Sequence, residues 1–336
     1  MKSWKVYGET KSELIEQDTQ RRDGEVKVKV TKVILSPSDA ALWSGPELGT
    51  PVVPGRVAIG LISDAGDADG YQIGQKVLIT PYSPCGECAA CHSEKQGTCS
   101  DLVVHGIDRD GFLSNYAVAG TSCITEIPDG VAEDDTLLSE YIAIAITVTE
   151  KLNIKKGDYV AVFGSTVLSY LLCSLCIYYH AVPIMISDDT KALEFASQNG
   201  IYYTIDTKKE DARAKIAEMT SGNLADVAAF DCDSLSSPED VCAYVKNKAE
   251  ICLFGFGATP AGAKLDLSPI VNGGHVVMGV NNGNREIPTA INLLVNGAIN
   301  VAPVEKEFVG FSKIEKTFKS RPLPFNEKVT IVEIEK

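Results

Sequence analysis

The chain has 336 residues, 45% of them hydrophobic, with a mean hydropathy of +0.03 and a formal net charge of -14. This is a globular composition, long enough for two domains with separate cores, and its acidity opposes nucleic acid phosphates and anionic lipid alike. The longest apolar stretch, Val167 to Tyr178, contains Ser169 and Ser174 and is too short to span a bilayer. The opening MKSWKVYGETKSEL lacks a signal-peptide core, so a cytoplasmic, reducing location is expected, with neither nucleic acid nor membrane as partner.

The first third reads as β. Glu25 to Val30 (EVKVKV) alternates valine with polar residues, the pattern of a half-buried strand. Glycines and prolines punctuate further short strands through Pro51–Gly66 and Gly74–Thr80. Then come Cys85, Cys88, Cys91 and Cys99, spaced C-x2-C-x2-C-x7-C. Thiolates repel, so a cluster this tight calls for a cation at its centre or for disulfides. Zn²⁺ takes four thiolates tetrahedrally, and a site closed in this way is structural because no position stays open for substrate. Free or disulfide-paired cysteines are the competing reading. The short spacing, the turn formers Pro84, Gly86 and Gly97, and a reducing location favour zinc. The other six cysteines lie scattered in apolar segments and read as core packers. Gly111 to Val118 is another strand-like piece.

From about residue 140 the texture changes. Tyr159–Phe163 is a short apolar run, Val167–His180 is long enough for a helix, and Val182–Ser187 is a second strand. Thr190–Asn199 is a helix stopped by Gly200. Tyr202–Asp206, a helix over Lys208–Met219, Ala225–Asp231, a helix beginning Ser237-Pro238-Glu239, and Ile251–Phe256 continue the alternation. Such repetition means a parallel sheet covered on both faces. His275–Val280 reads as a last strand, Ile287–Asn296 and Phe311–Lys319 as helices, and Lys328–Ile334 as a closing strand.

Several stretches together resemble the zinc-containing medium-chain dehydrogenase/reductase family of alcohol, polyol and threonine dehydrogenases. They are the cysteine lobe, Gly74-Gln75-Lys76-Val77, Asp110-Gly111-Phe112 with Tyr116, and Leu293-Leu294 with Gly297. The resemblance runs nearly end to end. It implies an α/β fold: a GroES-like β-rich domain over residues 1–146 with a zinc lobe at 84–100, a Rossmann domain over 147–285, and a return to the first domain over 286–336. It also implies a small-molecule substrate, NAD as cofactor, one structural zinc per chain, and a homodimer or homotetramer paired through His275–Val280.

Against that family the catalytic zinc site is mostly gone. The first ligand, a cysteine in the family, is here Ser36, and the second, a histidine, is Arg56. The third is kept as Glu140. A guanidinium that stays protonated cannot ligate a metal, so no catalytic zinc is expected. Arg56 is instead expected to pair with Glu140 and Asp39. Two readings are open: the pair only fills the vacated space, or Arg56 also polarises a substrate carbonyl or carboxylate. Ser38 stands at the family's proton-relay hydroxyl, Ala41 replaces the relay histidine, and Tyr141 is a candidate acid or a packed aromatic.

The cofactor loop also departs from the family. Gly164-Ser165-Thr166-Val167-Leu168-Ser169 keeps the first glycine of G-x-G-x-x-G and puts Thr166 and Ser169 at the second and third. Thr166 is expected to place a branched side chain where pyrophosphate would sit, although the helix start still offers N–H groups. Asp188 is placed either to accept from a ribose 2′-OH, which favours NAD, or to cap the next helix, as Asp189 equally can. The expected function is an NAD(H)-linked oxidoreductase of a small alcohol or carbonyl compound without catalytic zinc. An inactive or regulatory member, or a non-redox enzyme using Arg56 and Glu140, is the alternative.

Overall fold

The computed structural model describes residues 1–17, 20–93, 99–234, 240–257, 265–320 and 328–334. The chain divides into two compact units. One holds Met1–Glu140 and the elements that follow Val304; the other holds Tyr141–Val304. The expected boundaries at 146 and 286 are thus displaced to 140 and 304.

The first unit opens with a hairpin, β1 (Lys2–Gly8) and β2 (Lys11–Glu16), followed by β3 (Glu25–Leu35) and helix α1 (Pro37–Ser44). Then come β4 (Val57–Asp64), β5 (Lys76–Ile79), β6 (Tyr82–Ser83), the single turn α2 (Ala89–His92), β7 (Val103–Val104), β8 (Tyr116–Gly120), β9 (Ile124–Glu126), α3 (Glu133–Thr136) and the start of α4 (Ser139–Lys151). The alternation read from β3 is real: Val26, Val28 and Val30 are buried while Lys29 is exposed. Strands β3, β4, β5 and β9 pair antiparallel in that order, with β8 also on β3. The strand foreseen over Gly111–Val118 begins only at Tyr116.

The second unit runs β10 (Tyr159–Phe163), α5 (Val167–Tyr178), β11 (Val182–Ser187), α6 (Thr190–Gln198), β12 (Tyr203–Asp206), α7 (Ala212–Met219), β13 (Val227–Asp231), β14 (Glu250–Phe254), α8 (Leu267–Gly273), β15 (Val276–Val280) and α9 (Ile287–Val295). Its six strands are parallel in the order β12-β11-β10-β13-β14-β15. Val160, Ala161, Val162, Ile184 and Ile186 are all buried, as strands covered on both faces must be. The start of the helix expected at Ser237-Pro238-Glu239 lies outside the described residues. The described segment after it is turn, and Val245 bridges to Ala225.

The chain then returns to the first unit as β16 (Glu305–Gly310), α10 (Ile314–Ser320) and β17 (Lys328–Glu333). β17 pairs antiparallel with β3, and the Trp4 indole N–H donates to the Phe311 carbonyl at 2.8 Å.

Candidate functional site

The four cysteines converge. Cys85, Cys88, Cys91 and Cys99 place all their sulfurs within 4.8 Å of one another. Sγ of Cys85 and of Cys88 lie 3.8 and 3.6 Å from Sγ of Cys91. A tetrahedron with Zn–S bonds of about 2.3 Å has edges of about 3.8 Å, so the donor set fits Zn²⁺. The backbone prepares thiolates: Cys88 N–H donates to Cys85 Sγ at 3.4 Å and Cys85 N–H to Cys99 Sγ at 3.5 Å. N–H groups of Glu87 and Cys88 draw the Cys85 thiol down to about 7. Part of the lobe, including Gly97, lies outside the described residues.

Where the family would hold its catalytic metal, the first unit has a closed polar cluster. Gly55, at φ +90 with Val33 Cγ1 only 2.7 Å from where a Cβ would stand, turns the chain so that Arg56 enters the interior. Arg56 is 2% exposed, and Glu140, at the first turn of α4, is 1% exposed. Glu140 Oε1 accepts from Arg56 Nε at 2.9 Å and Arg56 Nη2 at 2.5 Å. Tyr82, from β6, donates its hydroxyl to the same oxygen at 2.8 Å. Burial alone would lower the Arg56 pKa, but Glu140 and Tyr82 outweigh it and raise it, so the guanidinium stays protonated. The residue that sequence reasoning missed here is Tyr82; a strand of two residues after a proline gave no sign of which face it would present.

Asp39 does not complete the Arg56 fork as expected. Its Oδ1 accepts from Gly55 N–H at 2.7 Å and its Oδ2 from Ser36 N–H and Ser36 Oγ, both at 2.7 Å. Arg56 acts on it through space only. Burial raises the Asp39 pKa against these bonds. Ser38 Oγ lies 2.8 Å from Ser36 Oγ. Because a carboxylate only accepts, Ser36 must spend its proton on Asp39, and Ser38 then donates to Ser36. Ser38 is therefore no lone hydroxyl: it heads a chain that ends in a buried carboxyl. Tyr141 is 4% exposed and packs edge-on against Phe256 at 4.5 Å, as a packed aromatic would.

In the second unit the cofactor loop departs from expectation in one respect. Thr166 is 4% exposed and turns inward: its hydroxyl caps α5, accepting from Ser169 N–H at 3.3 Å, and donates to the Asp231 carboxylate. Its side chain does not project outward from the start of α5, because a buried acceptor, unforeseen in the sequence, receives it. Ser169 Oγ donates to the same Asp231 oxygen at 2.6 Å. Gly164 is required at the turn, since a Cβ there would stand 2.2 Å from Ser169 Oγ and 2.6 Å from Asp231 Cβ. The capping of α6 falls to Asp189, which accepts from Lys191 and Ala192 N–H. Asp188 is left with its side chain 72% exposed, 3.8 Å from Lys208 Nζ.

Two family models match the chain: an alcohol dehydrogenase GroES-like domain over residues 22–129 and a zinc-binding dehydrogenase domain over residues 169–296. The chain is 25% identical to an uncharacterized zinc-type alcohol dehydrogenase-like protein of Haemophilus influenzae over 88% of its length and 87% of that protein's. It is 24% identical to an L-threonine 3-dehydrogenase of Pyrococcus abyssi, with 95% and 93% covered. Among solved structures, it shares its fold with a short chain alcohol dehydrogenase from Escherichia coli CFT073 complexed with NADH. The TM-score is 0.88, with 22% identity and 99% of each chain covered. The L-idonate 5-dehydrogenase of Escherichia coli K-12 matches at a TM-score of 0.86 and 20% identity, with 99% and 97% covered. No described helix is long and apolar enough to cross a membrane. With its GroES-like and Rossmann domains, the chain belongs to the zinc-containing medium-chain dehydrogenase/reductase family of oxidoreductases.

Proposed function

We propose that the protein is an NAD(H)-linked oxidoreductase of a small alcohol or carbonyl compound, with one zinc on its four cysteines and no catalytic zinc. The observation that carries this reading is the Arg56–Glu140–Tyr82 cluster. The one family metal ligand that remains, Glu140, is paired with a buried guanidinium, and its Oε1 accepts from Arg56 and Tyr82. The turn after β10 and the first N–H groups of α5 would hold the dinucleotide's phosphates, and Asp188 would accept from the adenosine ribose. The nicotinamide supplies the hydride donor or acceptor.

The chain's own contribution to the chemistry is the proton. A metal would normally acidify the substrate alcohol. Here the proton of an alcohol held at Ser38 is passed through Ser36 to Asp39, and it returns by the same path when a carbonyl is reduced. Asp39 suits this role because burial makes it a stronger base than a solvated carboxylate. Copies of the chain pair along β15, whose place at the sheet edge and half-exposed Val276 support the assignment; sedimentation of a Val276→Lys variant as a monomer tests it.

The test of the function is a fluorescence titration of the purified protein with NADH and NADPH, followed by turnover on polyol and aldehyde probes. Saturable NADH binding with turnover supports the reading. Failure to bind either nucleotide removes it in favour of a non-catalytic role.

A further inference from the structure

The polar network under the cofactor loop lies at a particular place in the sheet. β10 is flanked by β11 on one side and β13 on the other, and the chain crosses over between β12 and β13. Strand connections diverge there, and in open parallel sheets the crevice beyond the strand ends at such a point is where ligands bind. Phe163 of β10 is in register with Phe230 of β13. The next residues, Gly164 and Asp231, therefore stand side by side at that crevice.

Asp231 is 0% exposed, and a buried carboxylate is costly unless its oxygens are bonded. Oδ2 accepts from the hydroxyls of Thr166 and Ser169, and Oδ1 accepts from Asp233 N–H at 3.1 Å. Thr166 Oγ1 also accepts from Ser169 N–H, so one hydroxyl ties the loop, the first turn of α5 and the end of β13 together. Glycines at the second and third positions of such a loop work by having no side chain. The two side chains present here are accommodated because a carboxylate beneath them receives both.

We propose that Asp231 is the positioning residue of the dinucleotide loop, holding Thr166 and Ser169 from beneath so that the amide edge of the turn is presented to the cofactor's pyrophosphate. This rests on the nicotinamide-linked reading above. Asp231 touches no cofactor atom; it acts through the two hydroxyls. The loop and the carboxylate depend on each other, since the same Gly164 position that would clash with Ser169 would also clash with Asp231.

The experiment measures dissociation constants of full-length protein for NADH, ADP-ribose and adenosine by fluorescence and calorimetry. The variants are Asp231→Ala, Asp231→Asn, Thr166→Ala/Ser169→Ala and the triple alanine. Asp231→Ala is expected to weaken NADH and ADP-ribose by about tenfold or more and to leave adenosine, which has no phosphate, unchanged. The double alanine should match it, and the triple should add little, because all three changes release one latch. Asp231→Asn keeps an acceptor oxygen and should fall between. It also carries the test if the alanine variant fails to fold. Amide exchange should quicken over residues 164–170 and not in the sheet.

Equal affinities in wild type and Asp231→Ala would overturn the proposal, as would equal losses for adenosine and ADP-ribose. Tighter NADH binding by Asp231→Asn would do so too, because the carboxylate would then be a repulsive neighbour of the phosphates. A wild type that binds no dinucleotide would remove the parent reading and this one together, whereas binding by wild type with unaffected variants would remove this one alone.

Discussion

Replacing Glu140 by Gln keeps the side chain's shape but strips the charge from in front of a guanidinium that is 2% exposed. In the native cluster one carboxylate oxygen accepts three bonds, at 2.9 and 2.5 Å from Arg56 and at 2.8 Å from Tyr82. Removing one partner of a buried pair costs roughly 3–5 kcal/mol, because the other charge is left uncompensated in the interior. The amide oxygen of Gln still accepts, so the lower end, about 3 kcal/mol, applies. At about 2–4 °C per kcal/mol for a unit of this size, the transition of the unit containing β3 should fall by roughly 6–12 °C. Arg56→Met should cost a similar amount by stranding the carboxylate. Arg56→Met/Glu140→Leu should recover most of the loss, since apolar side chains of similar volume replace a buried pair at little cost. Thermal and urea unfolding of these proteins and of Glu140→Leu, followed by circular dichroism, would close the double-mutant cycle; with each single change costing about 3 kcal/mol and the double about 1 kcal/mol, the expected coupling is about 5 kcal/mol. If Glu140→Gln costs less than about 1 kcal/mol, as exposed pairs do, the two charges do not share a buried site and the reasoning fails.

Three further outcomes follow from the same geometry. Ser36→Cys/Arg56→His, which restores the family's ligand types beside Glu140, should raise bound zinc by one atom per chain; unchanged metal content would show that the pocket cannot be reopened by these two changes. Ser36→Ala should depress turnover and flatten its acid limb while Ser36→Thr, which keeps a hydroxyl, restores both; equal pH profiles for all three proteins would exclude the proton path to Asp39. Asp231, pushed up to about 7 by burial and by Asp233, holds its proton in the folded state over a range where the unfolded chain has lost it. Its contribution is therefore full below about pH 4 and is lost as pH rises through about 7, a decline of up to about 3 kcal/mol between pH 5 and 8. Urea unfolding should show a smaller decline over that range in Asp231→Asn than in wild type, and parallel declines would contradict the assignment.

Much of this architecture is legible in the sequence because it is written in local patterns. The valine alternation of β3, the apolar runs of β10 and β11 and the cysteine spacing each fix a local geometry without help from elsewhere. The pairing of Arg56 with Glu140 is legible too, since a guanidinium that cannot ligate a metal needs a carboxylate when buried. What could not be read are contacts between distant segments. Tyr82 reaches Glu140 across 58 positions, and Asp231 meets Thr166 across 65. Asp39 suits the Arg56 fork as a second carboxylate, but the Gly55 and Ser36 donors take its oxygens instead. Thr166 looked obstructive because its neighbour beneath the loop was unknown. The one available signal was that Asp231 closes the apolar run Ala225–Asp231, where a polar residue needs a partner.

We propose that this oxidoreductase keeps a structural zinc and has replaced the catalytic one by an ion pair. Zinc content by mass spectrometry on the same protein sample used for NADH titration tests it most directly. One zinc per chain, lost in Cys85→Ser, together with saturable NADH binding, is the expected result. Two zincs per chain, or one zinc that survives Cys85→Ser and is lost in Glu140→Gln, would contradict it.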